Sequence, residues 1–583
     1  MYTVIKNVQI VISLLKEYGI KNIVLSPGSR NVPFVHSVEN DPYFKCYSVV
    51  DERSAAYFAL GMAEELNEPV LISCTSSTAS SNYFPAIKEA YERGIQLIAL
   101  TADRDPYYRE QMENQMIIQP NMYGKYCKKA VDLPTVNNKK DAEYCERLIN
   151  EALLELDHRG KGPVQINFPA FTNFSDFSVT VLPKCRVINR IEENSPEILW
   201  KRKIDELRKY KKIMFLFGEG DGYSENYIKL LNRVFEKYNC MISVEHMSNI
   251  HCNGALRTFM VTESISEEEV LEILPDVVIT FGANYASDFK NKLRDNHSRI
   301  RHWRVSQQGN VVDTFMALDT IFECTDEMFF EKLIQYSDIN MKNDFSYYNL
   351  WKNKIQNIKF PDLRFTNFYA IGELAKRIPY NSILHLSILN SIRLMQFFDL
   401  DESIKVYANL GAYGIDGCLS TFLGQSKDKD KLAFLVIGDL SFFYDINGTL
   451  INEISSNVRI LIINNHSGSE FHYVYHDYGF KDLKKHISAG HNSDANMWFK
   501  DLPFKYLSAS NREELSDSLD EFIVDQSDKP IVLEVFTDPD MDADIITKFY
   551  RMNKNYSNTI LIKKCIKSII KKGVKNVRTI IRK

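Results

Sequence analysis

Apolar and polar positions along the first part of the chain form a repeating pattern that predicts short strands alternating with helices. The strand candidates are 22–26, 46–50, 69–76 and 96–104. Each is followed by a brief polar turn and then by a stretch with helical spacing of its apolar residues. Short strands that feed helices through brief turns are typical of a parallel sheet with helices on both faces.

Two further blocks with the same pattern follow. One holds the strand candidates 212–220, 240–246, 276–283 and 301–306, and the other holds 382–388, 404–411, 432–437, 458–463 and 530–537. We therefore expect an α/β protein with three doubly wound parallel-sheet domains, over 1–190, 196–340 and 365–545. The first and third domains are of comparable size, which suggests an internal duplication, although we see no repeat between their residues. The turns of the middle block hold few reactive groups, which favours a spacer or subunit-packing role.

The segment 554–583 differs in kind from the rest of the chain. It carries ten Lys or Arg and no Asp or Glu. Its apolar residues lie on one helical face opposite lysines, at Ile566, Ile570, Val574, Val577 and Ile581. This pattern predicts a basic amphipathic tail. It fits a helix that binds a membrane surface or an acidic partner, and it fits equally a terminal helix docked on its own protein or disordered.

The composition indicates a globular, cytoplasmic protein. The chain has 583 residues, of which 45% are hydrophobic and 25% charged, enough to build several cores. Its net charge of −5 gives no reason to expect nucleic acid as a partner. Its ten cysteines contain no C-x-x-C pair, so we expect reduced thiols. The first twenty residues indicate an amphipathic helix rather than a signal peptide, and no apolar run is long enough to span a bilayer.

The most informative polar residues follow the strand candidates 432–437 and 458–463. Asp439 comes after the first strand, and Asn465 and Ser467 come after the second. If the two strands are parallel neighbours, these residues meet at one edge of the sheet. A carboxylate, an amide oxygen and the Ser467 carbonyl would suit octahedral Mg²⁺, with phosphate oxygens in the other positions. Gly-Asp and Asn-Asn also occur in many ordinary turns.

This Gly-Asp…Asn-Asn spacing resembles the fingerprint of thiamine-diphosphate (ThDP) enzymes, which need a second carboxylate elsewhere. That carboxylate hydrogen-bonds a ring nitrogen of the aminopyrimidine, so that the exocyclic nitrogen can take a proton from the thiazolium carbon. Glu52, at a strand-to-helix turn before an apolar helix, is the right group in a suitable place. An acidic residue there would also simply favour a helix N-terminus.

Ordered motifs across the chain extend this resemblance to one family. They are SPGSR (26–30), VDERSAAYFALGMA (50–63), CTSSTA (74–79), LTADR (100–104), NQMIIQP (114–120), HLSILNSIRLMQFF (385–398), GIDGCLST (414–421) and GDLSFFYDINGTL (438–450). In this order they resemble the menaquinone-pathway synthases of the MenD family, which join 2-oxoglutarate to isochorismate with loss of CO₂. The resemblance covers about Met1 to Thr537.

The resemblance implies a role for individual residues. Glu52 would be the activating carboxylate, the Mg²⁺ ligands would be Asp439, Asn465 and the Ser467 carbonyl, and Ile415 would be the apolar wedge that bends the cofactor. Further ThDP contacts are implied for Gly414, Gly438, Leu440, Ser441 and Phe471. Substrate carboxylates and hydroxyls are expected at Ser29, Arg30, Arg104, Asn114, Gln115 and Arg393. An arginine fork suits a carboxylate, although any one arginine could instead form an ion pair.

In this family the carboxylate and the diphosphate site come from different subunits, which implies a homodimer or a dimer of dimers. The partners are otherwise small molecules, a 2-oxo acid and an acceptor. Peripheral membrane contact through the tail stays open.

Several positions depart from the family pattern, mainly on the acceptor side of the expected site. Leu410 replaces an arginine, Glu470 replaces an apolar residue, Ser77 replaces a glycine, and Lys292 is the nearest candidate for a central arginine. Ile388-Leu389 aligns with an Asn-Ser pair of the family, although a gap in the alignment would bring Asn390-Ser391 to that position instead. Losing one bidentate contact to a buried carboxylate weakens binding by roughly two orders of magnitude. A buried Glu470 would also disfavour a substrate with several negative charges.

Three functions therefore remain open. The first is the menaquinone reaction itself, in which a 2-oxo acid is decarboxylated and the acyl carbanion is transferred to the acceptor. The second is a divergent carboligase or decarboxylase with other substrates, for example in surface-polysaccharide biosynthesis. The third is a catalytically inactive, cofactor-binding scaffold. Glu52, Asp439 and Asn465 are all present, which counts against the third.

Overall fold

The structure is a computed structural model that describes residues 1–170, 174–338, 341–427, 430–475 and 483–554. The chain divides into two compact units, Met1–Glu192 with Gly309–Ile321, and Glu193–Gln308 with the described part of Phe322–Lys583. The predicted basic tail lies outside the described residues, apart from Lys554. Within the described ranges, no helix is both long and apolar enough to cross a membrane.

Six strands of the first unit form a parallel sheet. They are β1 (Asn22–Leu25), β2 (Lys45–Ser48), β3 (Val70–Cys74), β4 (Leu97–Asp103), β5 (Lys129–Asp132) and β6 (Val164–Pro169). Their order is β2-β1-β3-β4-β6-β5, and every pair is parallel. The helices of this unit are α1 (Lys6–Glu17), α2 (Val32–Glu39), α3 (Glu52–Leu66), α4 (Thr78–Ser81), α5 (Phe84–Arg93) and α6 (Lys139–Leu154).

Helices cover both faces of this first sheet. Apolar residues of α1 and α6 form a core with one face, and the alanine-rich sides of α3 and α5 form a core with the other. Every residue of β3 and β4 is consequently buried, which explains why apolar residues predominate in both strands.

The second unit begins with another parallel arrangement of strands. These are β8 (Ile213–Phe217), β9 (Cys240–Val244), β10 (Ala255–Arg257), β11 (Val277–Phe281) and β12 (Arg301–Val305), in the order β10-β9-β8-β11-β12. Two more strands flank these five in the sequence. β7 (Asn189–Glu192) lies at the end of the segment Met1–Glu192 of the first unit, and β13 (Leu318–Glu323) begins in the first unit and ends in the second. The helices are α7 (Glu197–Leu207), α8 (Glu225–Lys237), α9 (Phe259–Ser264), α10 (Glu267–Ile273), α11 (Phe289–Asp295), α12 (Asp326–Gln335) and α13 (Ser346–Gln356).

The second unit also contains a six-stranded parallel sheet. Its strands are β14 (Ile383–Leu386), β15 (Lys405–Ala408), β16 (Ala433–Gly438), β17 (Val458–Asn464), β18 (Lys505–Ala509) and β19 (Ile531–Phe536), in the order β15-β14-β16-β17-β19-β18. Its helices are α14 (Asn367–Ala375), α15 (Asn390–Met395), α16 (Cys418–Gln425), α17 (Asp439–Tyr444), α18 (Ser469–Tyr475), α19 (Asn496–Phe499), α20 (Arg512–Phe522) and α21 (Pro539–Asn553).

The two six-stranded sheets share one topology. In each, the strands in chain order occupy the positions second, first, third, fourth, sixth and fifth across the sheet. The suggested duplication is therefore present in the strand order, and the predicted α/β class with three parallel sheets is confirmed. The domain boundaries at 190, 196, 340, 365 and 545 stay predictions, and the segment Gly309–Ile321 groups with the first unit.

The strand order also locates a crevice in the β14–β19 sheet. From β14 the chain moves to one side to form β15, and it then returns to the other side to form β16. Ligands of open α/β sheets bind at such a switch point, beyond the carboxyl ends of the two central strands. Asp439 begins α17 at this position, directly after β16.

Candidate active site

The ends of β16 and β17 bring together the predicted metal ligands. Gly438 pairs with Ile463 in the register of these parallel strands, so the residues that follow both strands lie at one edge of the sheet. One oxygen of the buried Asp439 carboxylate accepts hydrogen bonds from the backbone N–H groups of Asn465 and Ser467, at 3.1 and 3.3 Å. The other oxygen accepts from the N–H of Leu440 at 2.6 Å.

The side-chain oxygen of Asn465 is buried and has no hydrogen-bond partner among the described residues. The amide nitrogen of the same side chain donates to Asp542 at 3.0 Å, which fixes the orientation of the amide. A buried oxygen that binds nothing destabilises a protein by about 1–3 kcal/mol. A hard divalent cation beside Asp439 would satisfy it, with the Ser467 carbonyl as a third oxygen ligand.

The donor set at this edge contains few ionisable side chains. The described residues hold no group of three or more His, Cys, Asp or Glu side chains arranged to bind a metal. His491 Nε2 lies 3.4 Å from the Asp439 carboxylate. An all-oxygen set with one carboxylate fits Mg²⁺ bound jointly with phosphate, because that ion usually keeps ligands from its substrate or from water.

Asp542, on α21, contacts residues of the site but does not line the adjoining cavity. Its carboxylate accepts hydrogen bonds from the side chains of Asn465 and Thr537 and from the backbone of Asn367. Burial raises the pKa of Asp542 to about 7. No sequence motif pointed to Asp542, because it lies far along the chain from the strand ends that it contacts.

A cavity of about 240 Å³ adjoins these residues. Apolar side chains dominate its wall, among them Ile371, Leu389 and Ile415. Several residues predicted to contact ThDP line it as well, namely Gly438, Asp439, Leu440, Ser441, Asn465 and Phe471. Ser441 Oγ donates to the carbonyl of Ile415 at 2.6 Å, which ties the segment containing Gly414 and Ile415 to the start of α17.

Glu52 belongs to the first unit, where it is the first residue of α3. Asp51 precedes it and caps the helix, accepting a hydrogen bond from the N–H of Ser54 at 2.7 Å. The Glu52 side chain is half-buried. Burial, together with the nearby Glu52 charge, raises the pKa of Cys74 at the end of β3. The predicted activating carboxylate therefore lies close to the carboxyl end of that strand.

Three of the predicted substrate residues lie together in the first unit. Arg104 donates to Glu113 at 2.5 Å and to Gln115 at 3.0 Å. Arg30 lies over the ring of Phe174, and burial and the neighbouring Arg104 charge lower its pKa. The other two predicted residues of this unit, Ser29 and Asn114, are exposed.

Arg393, the predicted substrate residue of the second unit, already has an anionic partner. Its Nη1 donates to the carboxylate of Glu470 at 2.6 Å and also contacts the hydroxyl of Tyr473. The pKa of Arg393 is raised by Tyr473 and Glu470, which outweigh the effect of burial. The sequence singled out Arg393 and Glu470 separately and did not predict that they pair.

The structure also shows the surroundings or the backbone conformation of the other residues that depart from the family pattern. Leu410 is buried, so an apolar side chain fills its position. Ser77 and Leu389 both have positive φ, at 72° and 63°. The Lys292 amine donates to the backbone carbonyl of Thr262.

Comparisons with known proteins agree with this arrangement. Residues 5–122 match the family model described as "Thiamine pyrophosphate enzyme, N-terminal TPP binding domain". The parallel sheets and the predicted motifs thus define a ThDP-dependent enzyme, and ThDP is its cofactor. The solved structure of benzoylformate decarboxylase from Polynucleobacter necessarius aligns with 92% of this chain and 99% of its own chain, with a TM-score of 0.41 and 14% sequence identity.

Full-length relatives identify the family. The chain is 36% identical over 563 residues to 2-succinyl-5-enolpyruvyl-6-hydroxy-3-cyclohexene-1-carboxylate synthase of Bacteroides fragilis, covering 95% of this chain and 100% of the relative. The synthase of Bacteroides thetaiotaomicron is 36% identical over 561 residues, with the same coverage. That of Flavobacterium psychrophilum is 29% identical over 559 residues, covering 94% and 99%. The chain belongs to this synthase family, which confirms the resemblance seen in the sequence.

Proposed function

We propose that this protein decarboxylates 2-oxoglutarate and transfers the remaining acyl group to isochorismate, with ThDP and Mg²⁺, as a step of menaquinone biosynthesis. One observation carries the proposal: Asp439 and Asn465 both line an apolar cavity at the switch point of a parallel sheet, and the side-chain oxygen of Asn465 has no partner among the described residues. The names of the full-length relatives support the choice of product.

The residues of the chain divide the work of this reaction. Asp439, Asn465 and the Ser467 carbonyl would hold Mg²⁺ and, through it, a diphosphate. Bound ThDP supplies a nucleophilic carbon and an electron sink for decarboxylation. Glu52 would share a proton with the aminopyrimidine ring. Ile415 and the other apolar residues of the cavity wall would shape the space for the cofactor and exclude water.

Cationic and polar side chains in each unit would bind the substrate. Arg30 and Arg104, with Gln115, would hold carboxylate or hydroxyl groups in the first unit. Arg393 would do so in the second. Both Arg104 and Arg393 are paired with carboxylates of the chain, so an incoming anion would have to compete with Glu113 or Glu470.

We further propose that the active protein is a homodimer or a dimer of dimers. The support is that Glu52 and Asp439 lie in separate units of the chain and that the family resemblance places them in different subunits of one site. A cytoplasmic location and a membrane contact of the tail remain predictions.

A second candidate function is a divergent carboligase with another donor or acceptor. The pairing of Arg393 with Glu470 and the burial of Leu410 favour it, because both reduce the positive charge available to an anionic substrate. In this case Glu52, Asp439 and Asn465 would keep their roles and only the preferred substrates would differ.

The two candidates are separated by a substrate comparison. Purified protein loaded with ThDP and Mg²⁺ is given isochorismate with 2-oxoglutarate, and then with other 2-oxo acids and other acceptors. We expect the highest kcat/KM for 2-oxoglutarate with isochorismate. A different pair with a clearly higher kcat/KM would establish the divergent enzyme, and no CO₂ release from any 2-oxo acid would contradict both.

A further inference from the structure

Glu470 is an acidic residue in the wall of a largely apolar cavity. It lies in the first turn of α18, and its side chain is only 18% exposed. One carboxylate oxygen accepts a hydrogen bond from Arg393 at 2.6 Å. The other is buried and has no hydrogen-bond partner in the described ranges. One oxygen of this carboxylate thus binds Arg393, while the other has no partner among the described residues, beside a cavity that Glu470 lines.

Several acidic groups of the described residues act on the region around Arg393. The charges of Glu470, Glu263 and Asp288 all act on Tyr473, whose pKa is raised mainly by burial. Lys292 lowers the pKa of Glu263, which burial raises overall, and Lys554 acts in turn on Lys292. Among the carboxylates of the described residues, Glu470 pairs directly with Arg393. An additional anion would bind weakly here unless it displaced a carboxylate from its cation.

We propose that Glu470 is the internal counter-ion of Arg393 and thereby determines which donor acid the cavity selects. A 2-oxo acid with a second carboxylate has to compete with Glu470 for Arg393, whereas one with an uncharged end does not. Glu470 therefore weakens the preference for a dicarboxylic donor and widens the range of donors accepted. The inference rests on the proposed function, in that it takes the donor acid to bind beside the cofactor, next to Glu470 in the cavity wall, and to reach Arg393 from there.

The substitution Glu470→Gln tests this proposal with little change of shape. The glutamine can still accept a hydrogen bond from Arg393, but it removes the competing charge. We expect the holoenzyme of this variant to bind glutarate about tenfold more tightly than the wild type, because the anion no longer competes with a carboxylate for Arg393. Pentanoate has the same carbon chain but one carboxylate, and its affinity should stay within about twofold. Isothermal titration calorimetry with the ThDP- and Mg²⁺-loaded protein measures both.

Turnover provides an independent readout. In Glu470→Gln the KM for 2-oxoglutarate should fall by about the same factor, while the KM for 2-oxopentanoate stays unchanged. The double variant Glu470→Gln with Arg393→Gln should lose the gain in glutarate affinity, because the gain depends on Arg393.

Glu373→Gln is a matched control. Glu373 lies on α14, its side chain is 20% exposed, and it pairs with Lys376 at 2.7 Å, but it does not line the cavity. This variant should bind glutarate as the wild type does. Thermal unfolding and ThDP titration establish that each variant folds and retains its cofactor.

Two results would overturn the proposal. One is a folded, ThDP-loaded Glu470→Gln protein that binds glutarate no more tightly than the wild type. The other is an equal gain for glutarate and pentanoate, which would indicate a change of shape rather than of charge. Neither result depends on isochorismate. A wild type that makes no product from isochorismate, but whose glutarate affinity responds to Glu470→Gln, would contradict the proposed function alone.

Discussion

Ser77 has a backbone conformation that a glycine adopts far more easily than a serine. Its φ is 72° and its ψ is −126°, outside the regions that residues with a Cβ normally occupy. Its N–H donates to the side chain of Gln119 at 2.6 Å, which holds the turn before α4 in place. Such a conformation destabilises a protein by about 1–3 kcal/mol, and the family pattern has glycine at this position.

Ser77→Gly should therefore stabilise the protein. The free energy gained by relieving the backbone strain exceeds the free energy lost because glycine makes the unfolded chain more flexible. We therefore expect the free energy of unfolding to rise by about 1 kcal/mol. The measurement is the midpoint of thermal or urea unfolding. Ser518→Gly, inside α20, is the control and should lower stability, because glycine is unfavourable within a helix. A Ser77→Gly protein no more stable than the wild type would show that the turn is not strained.

Glu52→Gln should abolish turnover but leave the fold intact. The amide cannot take up the proton that the carboxylate is proposed to share, so we expect the rate of CO₂ release to fall by about 10²–10⁴-fold. Steady-state kinetics with ThDP and Mg²⁺ in excess measure this rate. Glu65→Gln is a control on the same helix, since Glu65 is exposed, and it should keep wild-type activity. Comparable turnover in Glu52→Gln would remove Glu52 from the proposed role.

At the scale of elements, a strand was predictable where its apolar residues stand out in the sequence, and this held even for β4 with its buried Thr101 and Asp103. The candidates 69–76 and 96–104 contain β3 and β4. By contrast, β6 was missed because Gln165 and Asn167 interrupt its apolar pattern. Asn167 accepts hydrogen bonds from Thr101 and Gln119 at 2.8 and 3.0 Å, a network that only the folded sheet creates.

The candidate site likewise combines residues that a sequence pattern predicts with a contact that only the fold creates. Asp439, Asn465 and Ser467 were predictable because they directly follow strands, and the parallel register of β16 and β17 brings strand ends together. The pairing of Arg393 with Glu470 was not predictable, because it joins two helices that are far apart in the sequence. Contacts between helices depend on how they pack on the sheet, which no short motif encodes.

The paired ends of β16 and β17 lead to a prediction about metal binding. Asn465→Ala removes the side-chain oxygen that has no partner in the described part of the chain, so we expect the Mg²⁺ concentration that half-saturates ThDP binding to rise about tenfold or more. Fluorescence titration of the protein with ThDP at increasing Mg²⁺ measures this, and EDTA should release ThDP from the wild type. The thermal midpoint without metal serves as the control for folding. Unchanged Mg²⁺ dependence would exclude Asn465 as a ligand.

At the scale of the whole molecule, the two acidic residues essential to the proposal occupy separate units. Glu52 belongs to the first and Asp439 to the second. If each site takes Glu52 from one subunit and Asp439 from the other, then two different inactive variants can rescue one another in a mixed dimer.

Mixing Glu52→Gln protein with Asp439→Ala protein should therefore restore activity. A mixed dimer has one site with both defects and one site with neither, so random exchange of subunits should return about a quarter of the wild-type rate. The rate of CO₂ release after co-refolding or co-expression measures the recovery, and each variant alone is the control. Sedimentation shows whether dimers form. No recovery in verified mixed dimers would mean that both residues act within one subunit.

The shared strand order of the two six-stranded sheets has a consequence for how this site could arise. Each sheet carries its own crevice where the chain reverses, beside β1 and β3 in one and beside β14 and β16 in the other. A coenzyme with two chemically unlike ends can use two such crevices. After a gene doubling, each copy is free to specialise for one end through its loops alone, because the strands that define the crevice need not change.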